Sequence, residues 1–142
     1  LKEVRTHPIP GCNHAEPVHA LLSSGALEEI RMTDVEYENY LTFVSGPLGA
    51  RLDDGESAAL AISGRAASIV LDERKARRRA ASDANVRQDL TIASTLQLML
   101  TSGHRQAWSV QKVRDLVVAA RLNARMGVPK IDTALLQELL AS

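Results

Sequence analysis

The sequence has few aromatic residues and a single cysteine, and both scarcities narrow the classes of protein it can represent. Aromatic residues make up 3% of the 142 residues, so the core must be built from Leu, Val, Ile and Ala. The same scarcity argues against nucleic-acid readers that stack bases on aromatic side chains. Because Cys12 is the only cysteine, no intrachain disulfide can form, which favours a reducing compartment.

Long apolar runs and a net charge are also lacking. No apolar run approaches the roughly 20 residues that span a bilayer, and no basic-then-apolar signal segment is visible. We therefore expect a cytoplasmic protein without a membrane partner. The net charge is zero, but residues 1–50 carry three cations against seven acids, and residues 51–142 carry fourteen against ten. A basic face that meets phosphate is compatible with this distribution.

The middle of the sequence alternates between helical and strand patterns. The stretch ESAALAISGRA is rich in small residues, as in helices that pack closely on a sheet. The stretch ASIVLD is a continuous apolar run with β-branched residues, which is typical of a buried parallel strand. A cationic helix, ERKARRRAASDAN, and a second strand, VRQDLTI, are predicted next. This order predicts an α/β fold with a parallel sheet, and the absence of repeats and linkers predicts one domain over residues 1–142.

Element ends are predicted from caps and glycines. The stretch ALEEIRMT predicts a short strand that ends near Met32. A helix over residues 34–44 follows from its apolar spacing, with Asp34 as a plausible N-cap. The helical stretch STLQLMLTSG predicts a helix that ends at Gly103.

Two acids, Glu56 and Asp72, stand at the edges of these elements. Glu56 opens a predicted helix, where the macrodipole favours a carboxylate by ~0.3–1 kcal/mol. Asp72 ends the predicted strand, where open parallel sheets bind ligands, although Asp is also a common helix N-cap. If both acids lie at one edge of the sheet, their carboxylates can converge, and such clusters suit Mg²⁺ or Mn²⁺. Helix caps and a metal site are both compatible with these residues.

The cationic helix also has two interpretations. Arg74, Arg77 and Arg78 share one helical face, while Lys75 and Arg79 share another. A solvated face with ion pairs to neighbouring acids is the simpler interpretation. Beside a metal site, Arg74, Lys75 and Arg78 would instead hold an RNA backbone and make binding dependent on salt.

Four stretches of the sequence resemble motifs of the PIN domain: LDDGE, VLDERKARRRA, IASTLQLML and TALLQELL. They are similar to the LxxGE-type helix start, the strand-to-helix step, the GTxGxLL-type helix and the Leu-rich C-terminal helix of a branch of predicted nucleic-acid-binding PIN proteins. The resemblance covers most of the chain and is sharpest from Leu52 to Leu100. It implies a three-layer α/β/α fold with a parallel sheet, here without the family's first strand.

The resemblance implies a function and a set of site residues. PIN domains are metal-dependent ribonucleases, and many are the VapC-like toxins of bacterial and archaeal toxin–antitoxin pairs. The family's acids fall on Glu3, Glu56 and Asp72, so these are the expected catalytic residues and ligands of Mg²⁺ or Mn²⁺. RNA is then the expected substrate, with an antitoxin and a second copy of the chain as possible partners.

Two departures from the family pattern leave alternatives open. The aspartate that ends the family's first strand has no counterpart in this sequence, so we expect it to lie upstream or to be lost. IASTLQ also replaces the family's Gly-Thr-x-Gly, with Ala93 and Thr95 in place of the glycines. One alternative is a catalytically silent PIN-like module that binds nucleic acid or a protein. The other is a helical interaction protein in which Glu56 and Asp72 are only caps.

Overall fold

A computed structural model describes residues 15–123 and 125–141 of the chain. Contacts divide the chain into two units, residues 1–31 and residues 32–142. The described part of the first unit contains helix α1, Ala15–Ser23, and Gly25 follows it with a φ of +71°. Glu3 lies outside the described residues.

The second unit has α/β architecture, which confirms the predicted class. Its helices are α2 (Asp34–Val44), α3 (Asp54–Ala61), α4 (Arg74–Ser82), α5 (Thr95–Arg105), α6 (Val110–Asn123) and α7 (Thr133–Ala141), and its strands are β1 (Ser68–Val70) and β2 (Thr91–Ala93). Short 3₁₀ turns at Ser63–Arg65 and Lys130–Asp132 precede β1 and α7. In the described ranges, no helix combines the length and the apolar character needed to cross a bilayer.

The sheet consists of β1 and β2, which run parallel and are connected through α4. Ile69 pairs with Ile92 at the centre of the register, and Ile69 is buried. Because parallel strands end at the same edge, Asp72 after β1 and Ser94 after β2 lie at one edge of the sheet. The backbone N–H of Leu71 donates to the carbonyl of Ala93 and extends the pairing to that edge.

Helix α2 begins with a capping box, and this corrects two predictions. Thr33, not Asp34, is the N-cap: its hydroxyl accepts from the backbone N–H of Glu36, and its own N–H donates to the Glu36 carboxylate at 2.7 Å. The strand predicted near Met32 is wrong, since residues 26–33 have no regular structure. No strand among residues 15–123 and 125–141 pairs with this segment, so it gains no ladder hydrogen bonds, while Thr-x-x-Glu is a known start signal for a helix.

Two apolar cores hold the second unit together. The first core lies among α2, α3, β1 and α4, and the second lies among α5, α6 and α7. The buried residues of the first core are Phe43, Leu52, Leu60, Ala61, Ile69, Leu71, Ala76, Ala80 and Val86. Those of the second core are Leu96, Val113, Val117, Leu136 and Leu139. Aliphatic residues dominate both cores, as the composition predicts.

Gly103 lies inside α5 and does not end it, contrary to the prediction. The helix continues to Arg105, and Gly103 is buried against α6. A Cβ added at Gly103 would lie 2.5 Å from Cγ2 of Val113. The glycine is therefore explained by the close approach of two helices, which a single-helix pattern does not reveal.

We predict that Gly103→Ala destabilises the protein by about 1–2 kcal/mol, because the overpacking cost exceeds the gain in helix propensity. Denaturant unfolding measures the change. Gly55→Ala in α3 is the matched control, since a Cβ there meets nothing within 4 Å and the change should be neutral or stabilising. Equal effects of the two substitutions would contradict this packing account.

Candidate metal centre

A cavity of about 710 Å³ opens at the carboxyl edge of the sheet. Three stretches of chain line it: the start of α3, the junction of β1 with α4, and residues 127–131. Four acids and four cations are among its lining residues. The acids are Asp53, Glu56, Asp72 and Glu73, and the cations are Arg74, Arg77, Arg78 and Lys130. A cavity with both charges side by side can take a cation at one end and an anion at the other.

Three of the acids converge on one point. Oxygens of Asp53, Glu56 and Glu73 all lie within 4.8 Å of one another. Asp53 is the N-cap residue of α3 and Glu73 that of α4, yet neither side chain makes a capping hydrogen bond. The positive ends of two helix dipoles therefore meet where the three carboxylates gather, which favours negative charge there.

Glu56 is the innermost member of this cluster. Its Oε2 is buried and receives no hydrogen bond from the described residues. Burial, a hydrogen bond with Glu73, and the negative charges of Glu73 and Asp53 together raise the pKa of Glu56 from 4.5 to about 8, against a smaller opposing effect of Lys75. Without a cation, Glu56 is therefore mostly protonated at neutral pH.

Asp72 lines the same cavity but does not belong to the cluster. Its Oδ1 accepts from the backbone N–H of Thr95 at 2.8 Å, and its Oδ2 accepts from the Thr95 hydroxyl at 2.6 Å. Asp72 thus binds the start of α5. It does not cap a helix that begins at Glu73, one of the two interpretations of this acid, since α4 begins at Arg74 and its N-cap is Glu73. The strand edge brings Glu56 and Asp72 into one cavity. The acids that converge with Glu56 are Asp53 and Glu73, and Asp72 is not one of them.

Two of the three predicted RNA-contacting cations line the cavity. Arg74 and Arg78 are exposed and belong to its wall. Lys75 is half-buried, and its positive charge lowers the pKa of Glu56, so it acts on the acid cluster. These three cations are therefore divided: two lie in the cavity wall and one acts on the carboxylates.

The other two arginines of α4 support the fold. Arg77 donates from Nη1 to the carbonyl oxygens of Leu71 at 2.9 Å and Ala93 at 3.3 Å, and from Nη2 to that of Ile92 at 3.3 Å. It thus ties both strands together at the edge that carries the site. Arg79 pairs with Asp83 at 2.7 Å and stacks over a core phenylalanine.

Two charged residues of the cavity, Glu73 and Lys130, have no site role in the predictions from the sequence. Glu73 follows Asp72 directly, and either acid of an Asp-Glu pair after a strand can face the edge. Lys130 lies more than fifty residues after the start of α4, and no motif around it marks it as a site residue. Asp53 lies in the LDDGE turn, where an acid is typical of an exposed loop and does not by itself indicate a ligand.

Comparisons with known proteins identify no relative of this chain. No family model matches the sequence, and no curated protein or solved structure matches the chain significantly. The PIN resemblance therefore stays a prediction from the sequence motifs.

Proposed function

We propose that this protein is a divalent-metal-dependent endoribonuclease of PIN type that acts as the toxin of a toxin–antitoxin pair. The observation that carries the proposal is the convergence of Asp53, Glu56 and Glu73 within 4.8 Å. The buried Oε2 of Glu56 has no donor among the described residues. Converging acids repel one another, and a cation between them would remove that repulsion.

The chemistry of the donors fits Mg²⁺ or Mn²⁺. All three side chains offer carboxylate oxygens, which these hard ions prefer. Mg²⁺ usually keeps several waters and binds few protein carboxylates together with substrate phosphate, and the open cavity beside the three acids leaves room for water and phosphate. When bound, such an ion would activate water and neutralise charge on a phosphodiester.

The remaining residues of the cavity have separate roles in this proposal. Thr95 fixes the Asp72 carboxylate at 2.6 and 2.8 Å, so that its negative charge is held at the edge of the site. Arg74 and Arg78 would bind the phosphates of RNA and draw the strand toward the carboxylates. The same proposal includes a three-layer PIN arrangement over residues 1–142 and a role for Glu3 as a metal ligand. It also includes two partners, an antitoxin and a second copy of the chain.

A catalytically silent binding module is the second candidate, and one observation favours it. Both oxygens of Asp72 accept hydrogen bonds from Thr95, which is enough to explain an acid at the strand end. In that case Asp72 is a structural anchor, and the cations of α4 bind nucleic acid or a partner without cleavage.

The test of the proposal is cleavage of a labelled single-stranded RNA in the presence of Mn²⁺. We expect Glu73→Gln to lower the cleavage rate by about 100-fold or more, since the loss of a ligand should exceed the effect of losing an outer partner. We expect Asp72→Asn to lower it by about tenfold to 100-fold, because it removes a negative charge held at the edge of the site. Asp89→Asn is the control: Asp89 is exposed and pairs with a surface arginine, so full activity is expected.

The two candidates give different outcomes. RNA cleavage that resists both Glu73→Gln and Asp72→Asn would rule out the nuclease proposal for this site. Tight RNA binding without any cleavage by the parent chain would favour the binding module.

A further inference from the structure

The cavity has a second wall, residues 127–131, that the proposed metal chemistry does not use. Two neighbouring side chains of this wall are exposed, those of Lys130 and Ile131. Ile131 is 75% exposed, which is a large apolar exposure for a residue at the mouth of a charged cavity. An apolar side chain next to a cation is a combination that suits one repeat of a nucleic-acid strand, which alternates phosphate with an apolar ring face.

The second wall is held firmly in place. Asp132 is 2% exposed, accepts from Nε2 of Gln97 at 2.7 Å, and donates from its backbone N–H to the carbonyl of Pro129. Pro129 is buried, and Val128 packs against the second core. These hydrogen bonds and buried neighbours hold the backbone beside Lys130 and Ile131, which lowers the ordering entropy that is lost when a ligand binds the two outer side chains.

We infer that Lys130 and Ile131 contact one nucleotide of the bound strand, an inference that rests on the proposed function. The Lys130 ammonium binds a backbone phosphate, and Ile131 packs against the adjoining ribose and base. Arg74 and Arg78 supply cations from α4, and Lys130 supplies one from a distant segment of the chain. The strand is thus gripped by two separate elements, and the carboxylates lie in the same cavity.

The test is binding of a fluorescently labelled, cleavage-resistant 2′-O-methyl RNA of ten nucleotides to the 142-residue chain in EDTA, followed by anisotropy over a series of salt concentrations. We expect Lys130→Gln to weaken binding about threefold to tenfold at low salt and to reduce the slope of log K against log salt by about 0.7. We expect Ile131→Ala to weaken binding by a similar factor of about threefold to tenfold at every salt concentration, without a change in slope. Leu122→Ala is the matched control, because Leu122 is also 75% exposed and lies outside this cavity.

The outcomes separate this inference from the proposed function. Parent-like binding by Lys130→Gln and Ile131→Ala, with weaker binding by Arg74→Gln and Arg78→Gln, would overturn the inference and leave the RNA site intact. If the parent chain cleaves RNA in Mn²⁺ but does not bind the oligonucleotide in EDTA, the inference fails and the proposed function stands; if it neither binds nor cleaves RNA, both fail. Unchanged Mn²⁺ affinity in Lys130→Gln and Ile131→Ala supports a role in binding RNA, since a structural defect would disturb the metal centre as well.

Discussion

Replacing Glu56 with Gln is expected to stabilise the metal-free protein at about pH 8 by about 1–2 kcal/mol, after allowance for solvent screening of a partly exposed group. The pKa of this carboxyl is raised from 4.5 to about 8, chiefly by burial. Between these values the folded chain binds more protons than the unfolded chain. The free energy of unfolding therefore falls as the pH rises through this window. The stabilisation that protonated Glu56 contributes is fully present only below about pH 4.5. Gln is neutral throughout, so the variant should lose this part of the pH dependence.

Urea unfolding in EDTA at about pH 5 and pH 8 measures the effect. Glu138→Gln in α7 is the control, since Glu138 is an exposed helical residue outside the cavity. The same Glu56→Gln substitution should weaken Mn²⁺ binding, because it removes a ligand charge. Higher stability together with poorer metal binding is typical of a residue kept for function. A loss of stability at pH 8 would instead show that the Glu56 charge supports the fold.

The second large effect is expected at Arg77. Arg77→Met keeps the apolar stem but removes the donors to three carbonyl groups of the strand ends. Because the guanidinium is charged and half-buried, we expect a loss of about 2–3 kcal/mol in the free energy of unfolding. Guanidinium chloride unfolding would measure it, with Arg78→Met as the neighbouring control, for which we expect less than about 0.5 kcal/mol. Equal losses at the two positions would contradict the role given to Arg77.

The helix–strand alternation of this chain could be predicted because the relevant signals are local. The apolar run that contains Ile69 predicts a strand that ends just before Asp72, and the strand is there. Its predicted burial holds only for Ile69, since Val70 is 40% exposed. Glu56, at the start of the preceding helix, lies in the same cavity as Asp72. These positions follow from chain order and from the direction of parallel strands.

The partners of the site residues could not be predicted, since they depend on distant contacts and on where helices begin. Glu73 faces Glu56 because α4 starts one residue later than Asp72 alone would indicate. Arg77 reaches carbonyl groups 15 and 16 residues away, whereas its helical spacing only grouped it with the other α4 cations. Asp72 is bound by Thr95 across 23 residues. None of these contacts produces a periodic pattern in the sequence from which it could be predicted.

Titration calorimetry with Mn²⁺ measures whether the cluster of Asp53, Glu56 and Glu73 holds a divalent cation. We predict one Mn²⁺ per chain in the parent protein, with affinity that rises between about pH 6.5 and pH 8.5, because the proton on Glu56 must leave before the ion binds. Glu56→Gln and Glu73→Gln should each weaken binding by about tenfold or more, while Asp89→Asn should bind as the parent does. Parent-like Mn²⁺ affinity in both cluster variants would contradict the account.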